Sequence, residues 1–413
     1  VTTSPTLLEP LTIAPTADSV REALPALSDL LAGRRALLPV PPGDPSELVD
    51  EMAAGPDGRP ARAGTLIACT SGSTGTPKGA LLRSENLTAS AEATAGRIHA
   101  VNGAGPGPWL LVLPPHHIAG LQVILRSLSA GYAPAVAAAP RFTAAGFTTA
   151  TRELRHAHPG EDLHTSLVPT QLARLLDDPE GTAALDEYAA VLVGGAATRP
   201  DLVDRARAAG VRVMLTYGSS ETAGGMVYDS AALPGTTVDI EEPDATGLGR
   251  ILLAGPTVAD GYRNVSGEAA RDAFPRPGVF RTSDLGRVDS ATGLLTVVGR
   301  SDGAVNSAGL KILPEQVEAA LADAGFTGCA AGVPDAEWGE AVAAVVEDPG
   351  QDAATEVTGA VREALHAAGI PGHLIPRYVF TTPELPTTGP GKVDRRRVRA
   401  GLLSRCGSAR TAG

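Results

Sequence analysis

The sequence predicts an α/β protein: layered parallel sheet, then a smaller β-rich part, then a small α+β module. Three observations predict it. Up to about residue 230, short apolar runs alternate with longer amphipathic ones, the pattern of parallel strands with helical crossovers. From about Gly235 the character changes to short strands and turns. After Gly299-Arg300-Ser301-Asp302-Gly303 it changes again, to helices and longer strands over about 110 residues, a normal size for a small domain.

In chain order, strands are expected at Ala36–Val40, Thr65–Cys69, Trp109–Leu113, Thr165–Val168, Ala190–Val193 and Arg212–Leu215. Helices are expected at Ser84–Ile98, Ile118–Ser129, Thr170–Leu176 and Pro200–Ala209. Ser84 suits an N-cap, and Pro200 suits a first helical turn. Gly249–Leu253 and Leu294–Val298 read as strands of the β-rich part. In the last module, Pro314–Ala324 and Ala354–Ala368 read as helices, and Cys329–Val333 and Ala341–Val346 as strands. A boundary is placed near Asp302.

The formal net charge of −12 argues against nucleic acid, because binding it means neutralising phosphates with Lys and Arg. Three cysteines without CxxC spacing make a disulfide framework or zinc site a poor fit and suit a reducing cytoplasm. The stretch VTTSPTLLEP lacks a basic segment followed by an apolar one, so no signal peptide is expected. No apolar run reaches the roughly 18 residues that span a bilayer. Neither nucleic acid nor a membrane is therefore expected as a partner, and a homo-oligomer stays open. Lysine occurs at Lys78, Lys311 and Lys392 alone, against 31 arginines. A site that needs a compact point charge rejects the planar fork of arginine, so these lysines draw interest.

The stretch TSGSTGTPKG, residues 70–79, packs hydroxyls and glycines before Lys78. Read as following a strand and preceding a helix, it has the composition of a phosphate cradle. Glycines let backbone N–H groups turn inward, and hydroxyls donate to phosphate oxygens. It is not a Walker A loop, since Gly79 follows the lysine. A plain surface turn would not need so many such positions. In YGSSETAGG, residues 217–225, Tyr217 offers a flat face for a base, Ser220 a hydroxyl and Glu221 a carboxylate for Mg²⁺. VLVGGAAT, residues 191–198, ends a strand in small residues that admit a planar ring. Each of these last two stretches alone reads more readily as ordinary turn chemistry. Both lie at strand C-terminal ends, where open α/β sheets bind ligands.

Together these stretches resemble the acyl-adenylate-forming superfamily of acyl-CoA synthetases, carrier-linked adenylation domains and luciferases. The resemblance runs through the chain in order. It covers RTSDLGR at 281–287, GRSDGAVNSAGLKILPEQVE at 299–318 and LPTTGPGKVDRR at 385–396. It implies a large N-terminal adenylating domain, residues 1–301, joined by a hinge to a mobile C-terminal domain, residues 302–413. It implies ATP, Mg²⁺ and CoA. It also implies roles. Thr70, Ser71, Gly72, Ser73, Thr74, Gly75, Thr76 and Lys78 would hold phosphates, while Gly194, Gly195, Ala196, Tyr217, Gly218 and Ser220 would hold the nucleotide. Asp284 and Arg300 would meet the ribose, Asp302 would be the pivot, Glu221 would hold Mg²⁺ and Lys392 would be the catalytic lysine. Two positions depart from the family pattern. Gly303 stands where a second acidic residue is common, and Asn306 stands near a usual lysine.

In LPPHHIAGLQVILRSL, residues 113–128, His117 falls where the family has a histidine beside the acyl pocket, and His116 reads as packing. HHIAGLQVILRSL, TSLVPTQLARLL and YGSSETAGGMVYD are similar to the o-succinylbenzoate–CoA ligase branch in its actinobacterial form. The short stretch before residue 70 agrees with it. That branch implies an acid with a second carboxylate and a place in menaquinone synthesis. Arg126 is the candidate for that carboxylate, with Ser166 and Thr170 as weaker ones. Arg126 shares a helix face with Gln122 and Ser129, so a solvated outer stripe is the competing reading. The basic tail KVDRRRVRAGLLSR reads as a solvated helix, and Cys69 as buried packing. Two other functions stay open: another aryl- or acyl-CoA synthetase or a stand-alone carrier-loading enzyme, and a non-catalytic nucleotide-binding scaffold.

Overall fold

The structure is a computed structural model that describes residues 5–70, 77–137, 142–307, 310–350, 355–387 and 393–411, with side chains to residue 406. It has the expected α/β class. Two compact units divide the chain. One holds Val1–Asp239, Leu252–Thr282 and Ser290–Leu295; the other holds Ile240–Ile251, Ser283–Asp289 and Thr296–Gly413.

The first unit is built on a seven-stranded sheet. Its spatial order is Ala231–Ala232, Gly224–Tyr228, Val213–Ser219, Tyr188–Gly194, Leu163–Leu167, Trp109–Leu111, Ala135–Val136. From Val213–Ser219 onward the neighbours run parallel, while the first two strands run antiparallel. Both faces are buried, so the apolar runs are continuous. Ala190 and Leu192 enter one apolar cluster, with Leu87 and Ile98 of helix Ser84–Asn102 and Leu121 and Ile124 of helix Ile118–Ser129. Val191 and Val193 enter the other, with Phe147 of helix Ala144–Ala157 and Leu172 of helix Pro169–Leu176. A second sheet takes Leu8–Thr12, Ala36–Val40, Thr65–Thr70 and Lys78–Arg83 in that order, the last strand antiparallel.

Three expectations need correction. The hydroxyl-rich stretch lies between two antiparallel strands, Thr65–Thr70 and Lys78–Arg83, and the helix comes only afterwards. Ser84 is the first residue of that helix rather than its cap. Arg83 holds the cap position, with its N–H donating to the Asn86 side chain at 2.7 Å. Helices Ala17–Leu31 and Ala144–Ala157 had no counterpart in the sequence reading; Pro25 inside the first and threonines in the second mask the helical pattern.

The second unit contains a five-stranded sheet of Leu310–Ile312, Val305–Ser307, Gly339–Glu347, Gly328–Asp335 and Tyr378–Thr382. Helices Pro314–Asp323 and Thr358–Ala367 cover one face through Val317, Leu321, Val361 and Leu365. The helix Arg395–Thr411 covers the other through Val398, Leu402 and Cys406. The tail is thus not simply a solvated helix: Arg395 makes a forked pair with Glu318, at 2.7 and 2.6 Å.

Candidate active site

Parallel strands Tyr188–Gly194 and Val213–Ser219 end side by side, with Gly194 opposite Thr216. At these ends Gly195, Ala196 and Gly218 are exposed, and Tyr217 is half-buried. The second strand runs further than expected and folds back through a 3₁₀ turn, Ser220–Thr222, into Gly224–Tyr228. The hairpin is tight. A Cβ on Gly218 would fall 2.0 Å from the Gly224 carbonyl oxygen, so only glycine fits there. The Thr222 hydroxyl ties the turn, accepting from Ser219 N–H at 2.9 Å and donating to the Gly224 carbonyl at 2.7 Å. Ala223 sits in the left-handed region at φ 52°, and its carbonyl accepts from Ser90 Oγ at 2.9 Å and Gln122 Nε2 at 2.6 Å.

This turn presents Ser220 and Glu221, both buried. The Glu221 carbonyl accepts from Ala259 N–H at 2.8 Å, and its Oε1 accepts from the Tyr262 hydroxyl at 2.8 Å. Lys78 Nζ stands 5.5 Å from the Tyr262 ring centre. Burial, then the Glu221 charge, push the Tyr262 phenol well above its ordinary range, so it stays a donor. Thr70 lies opposite Lys78, and its hydroxyl donates to the Lys78 carbonyl at 3.4 Å. Ser71, Gly72, Ser73, Thr74, Gly75, Thr76 and Lys392 lie outside the described residues.

Tyr262 is a residue the sequence reading missed. It belongs to Asp260–Asn264, which zips onto the strand Lys78–Arg83. Asp260 N–H donates to Leu81 O and Leu81 N–H to Gly261 O, each at 2.9 Å, and Arg263 N–H donates to Gly79 O at 2.7 Å. Asn264 accepts from Gly79 N–H at 3.1 Å and donates to Pro77 O at 2.7 Å. Arg263 is buried and donates to the carbonyls of Met52, Ala53, Arg59 and Pro60. The only sequence signal was the cluster Tyr-Arg-Asn directly after Gly261, which no periodicity picks out.

Behind the same hairpin lies Arg126. The solvated-stripe reading fails for it: Arg126 and Gln122 are buried, at 7% and 1% exposure, while Ser129 alone of the three is exposed. Arg126 Nη2 donates to the Tyr228 hydroxyl at 3.2 Å, which in turn meets Thr94 Oγ1 at 2.9 Å. The guanidinium carbon lies 5.4 Å from the Trp109 ring centre. Two buried atoms here have no hydrogen-bond partner, Arg126 Nε and Gln122 Oε1. No acidic side chain among the described residues forms an ion pair with Arg126. A Cβ on Gly224 would point at both side chains, 3.5 Å from Gln122 Cγ and 3.9 Å from Arg126 Nη2. Ser166 is buried in its strand opposite Leu192, whereas Thr170 is exposed at the start of its helix.

The two histidines differ in burial. His117 is exposed at the N-cap of helix Ile118–Ser129, while His116 is half-buried with its Nδ1 unpartnered. Burial, then the neighbouring His117 charge, lower His116 to about 4. Burial pushes the Cys69 thiol up to about 12, which suits packing rather than attack. In the second unit, Arg300 makes a forked pair with Asp302, at 2.9 and 2.6 Å, and approaches Asp284 at 3.5 Å. Predicted ribose and hinge residues therefore meet in one group.

Among the described residues no helix is long and apolar enough to cross a membrane. The model of the AMP-binding enzyme family matches residues 31–263. A Mycobacterium tuberculosis (strain H37Rv) protein named probable 2-succinylbenzoate–CoA ligase is 40% identical over 381 residues, 90% of this chain and 93% of that protein. The solved o-succinylbenzoate CoA synthetase from Bacillus subtilis, in complex with its acyl-adenylate intermediate, is similar at TM-score 0.69 and 24% identity, over 94% of this chain and 83% of that one. The same enzyme in complex with ATP and magnesium ion gives 0.67 at 24%, over 92% and 82%. At such identities these structures speak for the fold.

Proposed function

The chain belongs to the AMP-binding enzyme family, and from that premise we propose that it is an AMP-forming ligase joining 2-succinylbenzoate to CoA. ATP is the nucleotide substrate. The reaction is a step of menaquinone biosynthesis in the cytoplasm, where ATP and CoA are at hand. A carboxylate oxygen attacks the α-phosphorus of ATP; the acyl–phosphate bond forms and the bond to pyrophosphate breaks. The CoA thiol then loses its proton and attacks the acyl carbon; the C–S bond forms and AMP leaves.

The donor set at the hairpin fits Mg²⁺. Among the described residues no group of three or more His, Cys, Asp or Glu side chains forms a metal cage. Magnesium takes one or two protein carboxylates and completes its shell with phosphate oxygens and water, and Glu221 supplies one. Bound there, the ion would offset phosphate charge. Lys78 and the hydroxyls of 70–76 are assigned the phosphates, Gly194–Ala196 and Tyr217–Ser220 the base side of the nucleotide, and Asp284 and Arg300 the ribose. Lys392 is assigned the ammonium that meets the reacting phosphate, where charge spreads in the transition state. Asp302 is assigned the pivot between residues 1–301 and 302–413, so that Lys392 serves the first step and withdraws for the second. His117 is assigned the rim of the acyl pocket.

The observation that carries the choice of a diacid is Arg126. A buried cation without an anionic partner is costly, and a forked guanidinium suits a carboxylate. Arg126 Nε stands unsatisfied behind the hairpin that bears Glu221. The second carboxylate of the substrate would supply the missing partner, with Ser166 and Thr170 as lesser contacts. The test is a panel of acids incubated with the protein, ATP and Mg²⁺, reading pyrophosphate release and then CoA thioester. The expected result is release with 2-succinylbenzoate and not with analogues lacking the aromatic carboxylate. Release only with other acids would overturn the substrate, and no release with any acid would overturn the reaction.

A further inference from the structure

We propose that Tyr262 is a positioning residue that keeps Glu221 and Lys78 apart, each ready for the nucleotide's phosphates. This rests on the adenylating role proposed for Glu221 and adds to it the part of a residue from a different segment. A lysine and a carboxylate close together in a cleft tend to pair, and paired they are both lost to a ligand. Here neither is in an ion pair among the described residues. One side chain stands with both. Its hydroxyl donates to Glu221 Oε1 at 2.8 Å, and its ring lies under the Lys78 ammonium at 5.5 Å. A cation over an aromatic face is attracted to it, so the ring gives Lys78 a resting place other than the carboxylate.

The geometry is imposed from outside the site. Tyr262 lies opposite Ala80 in an antiparallel bridge on the strand that begins at Lys78. The neighbouring backbone bonds from Asp260, Gly261 and Arg263 fix that register. Asn264 reaches Gly79 and Pro77, at the end of the phosphate stretch. Phe274 meets the Tyr262 ring edge-on at 5.1 Å between centres and sets its tilt. The segment Asp260–Asn264 thus ties the strand leaving the phosphate stretch to the turn that carries Glu221.

Tyr262→Phe tests this, because it removes the hydroxyl and keeps the ring, the Phe274 contact and the Lys78 contact. The first readout is binding of preformed Mn²⁺·ATP by calorimetry, beside metal-free AMP binding by the same method. Loss of one hydrogen bond to a charged group should weaken Mn²⁺·ATP binding about 10-fold, with AMP binding unchanged. The second readout is the same change made in Glu221→Gln, where Tyr262→Phe should add nothing further. The third is thioester formation from supplied acyl-AMP, which should stay at the wild-type rate. Equal weakening of AMP and Mn²⁺·ATP binding, or an undiminished effect in the Glu221→Gln background, would reduce Tyr262 to packing and overturn the inference. Wild-type protein that binds no Mn²⁺·ATP would instead overturn the proposed function, so the two failures are told apart.

Discussion

The hairpin that carries Glu221 and the group Asp284–Arg300–Asp302 hold charge in opposite ways. At the hairpin the charged groups are buried and meet neutral partners: Glu221 accepts from a phenol, and Arg126 donates to a phenol and faces an indole ring. Around Arg300 the charges meet one another, and both side chains of the Arg300–Asp302 pair are more than a third exposed. Neutral partners leave a buried charge with unmet demand, which a charged ligand can satisfy. A half-exposed ion pair satisfies itself and is worth about 0–1 kcal/mol, so it opens cheaply. The difference agrees with the proposed division of labour, in which the first region binds and the second changes partners.

The largest expected effect tests the half proposed to move. Lys392→Ala should lower acyl-AMP formation by about 10² or more, in keeping with loss of one group aimed at transition-state charge. Conversion of supplied acyl-AMP to thioester should stay intact. The measurement is pyrophosphate release against thioester formation on the same preparation. Equal loss of both steps would end the two-conformation reading.

Next comes the binding half. Arg126→Ala should raise KM for the diacid about 10- to 100-fold, the range for a hydrogen bond to a charged group in a buried site, and leave KM for ATP near its starting value. Folding stability should hold or rise slightly, because the change removes a buried charge that has no ionic partner. A fall in stability with unchanged KM would make Arg126 a structural residue of the Tyr228–Thr94 network.

Much of this was legible in the residues, for a physical reason. The parallel strands are buried on both faces, so their apolar runs are uninterrupted, and Ala36–Val40 and Ile118–Ser129 have the ends the sequence suggested. Ordered motifs located the strand ends and drew attention to Asp284, Arg300 and Asp302, which meet in one group. Burial at single positions was not legible. Arg126 sits at a spacing that fits either face of its helix, and only packing against Trp109 and Tyr228 decides which. Tyr262 pairs with Ala80, 182 residues earlier in the chain, and no local pattern reports such a contact. The same holds for the strand Lys78–Arg83, whose pairing with Thr65–Thr70 turned an expected loop-to-helix step into a hairpin.

The smallest effects give the sharpest comparison, because one methyl group or one carboxylate can be changed in each region. Gly224 has φ 99°, and a Cβ there would make ordinary contacts with Gln122 and Arg126 rather than a clash. Gly224→Ala should therefore cost about 1–3 kcal/mol through backbone strain, with a modest rise in KM for the diacid as the space over Arg126 narrows. Asp302→Ala removes two hydrogen bonds from Arg300, yet it should cost no more than about 1 kcal/mol, because Arg300 keeps Asp284 and solvent as partners. Urea unfolding of the two variants side by side checks the order. A larger loss for Asp302→Ala than for Gly224→Ala would mean that the exposed pair is a structural clamp. The region assigned to movement would then be the rigid one.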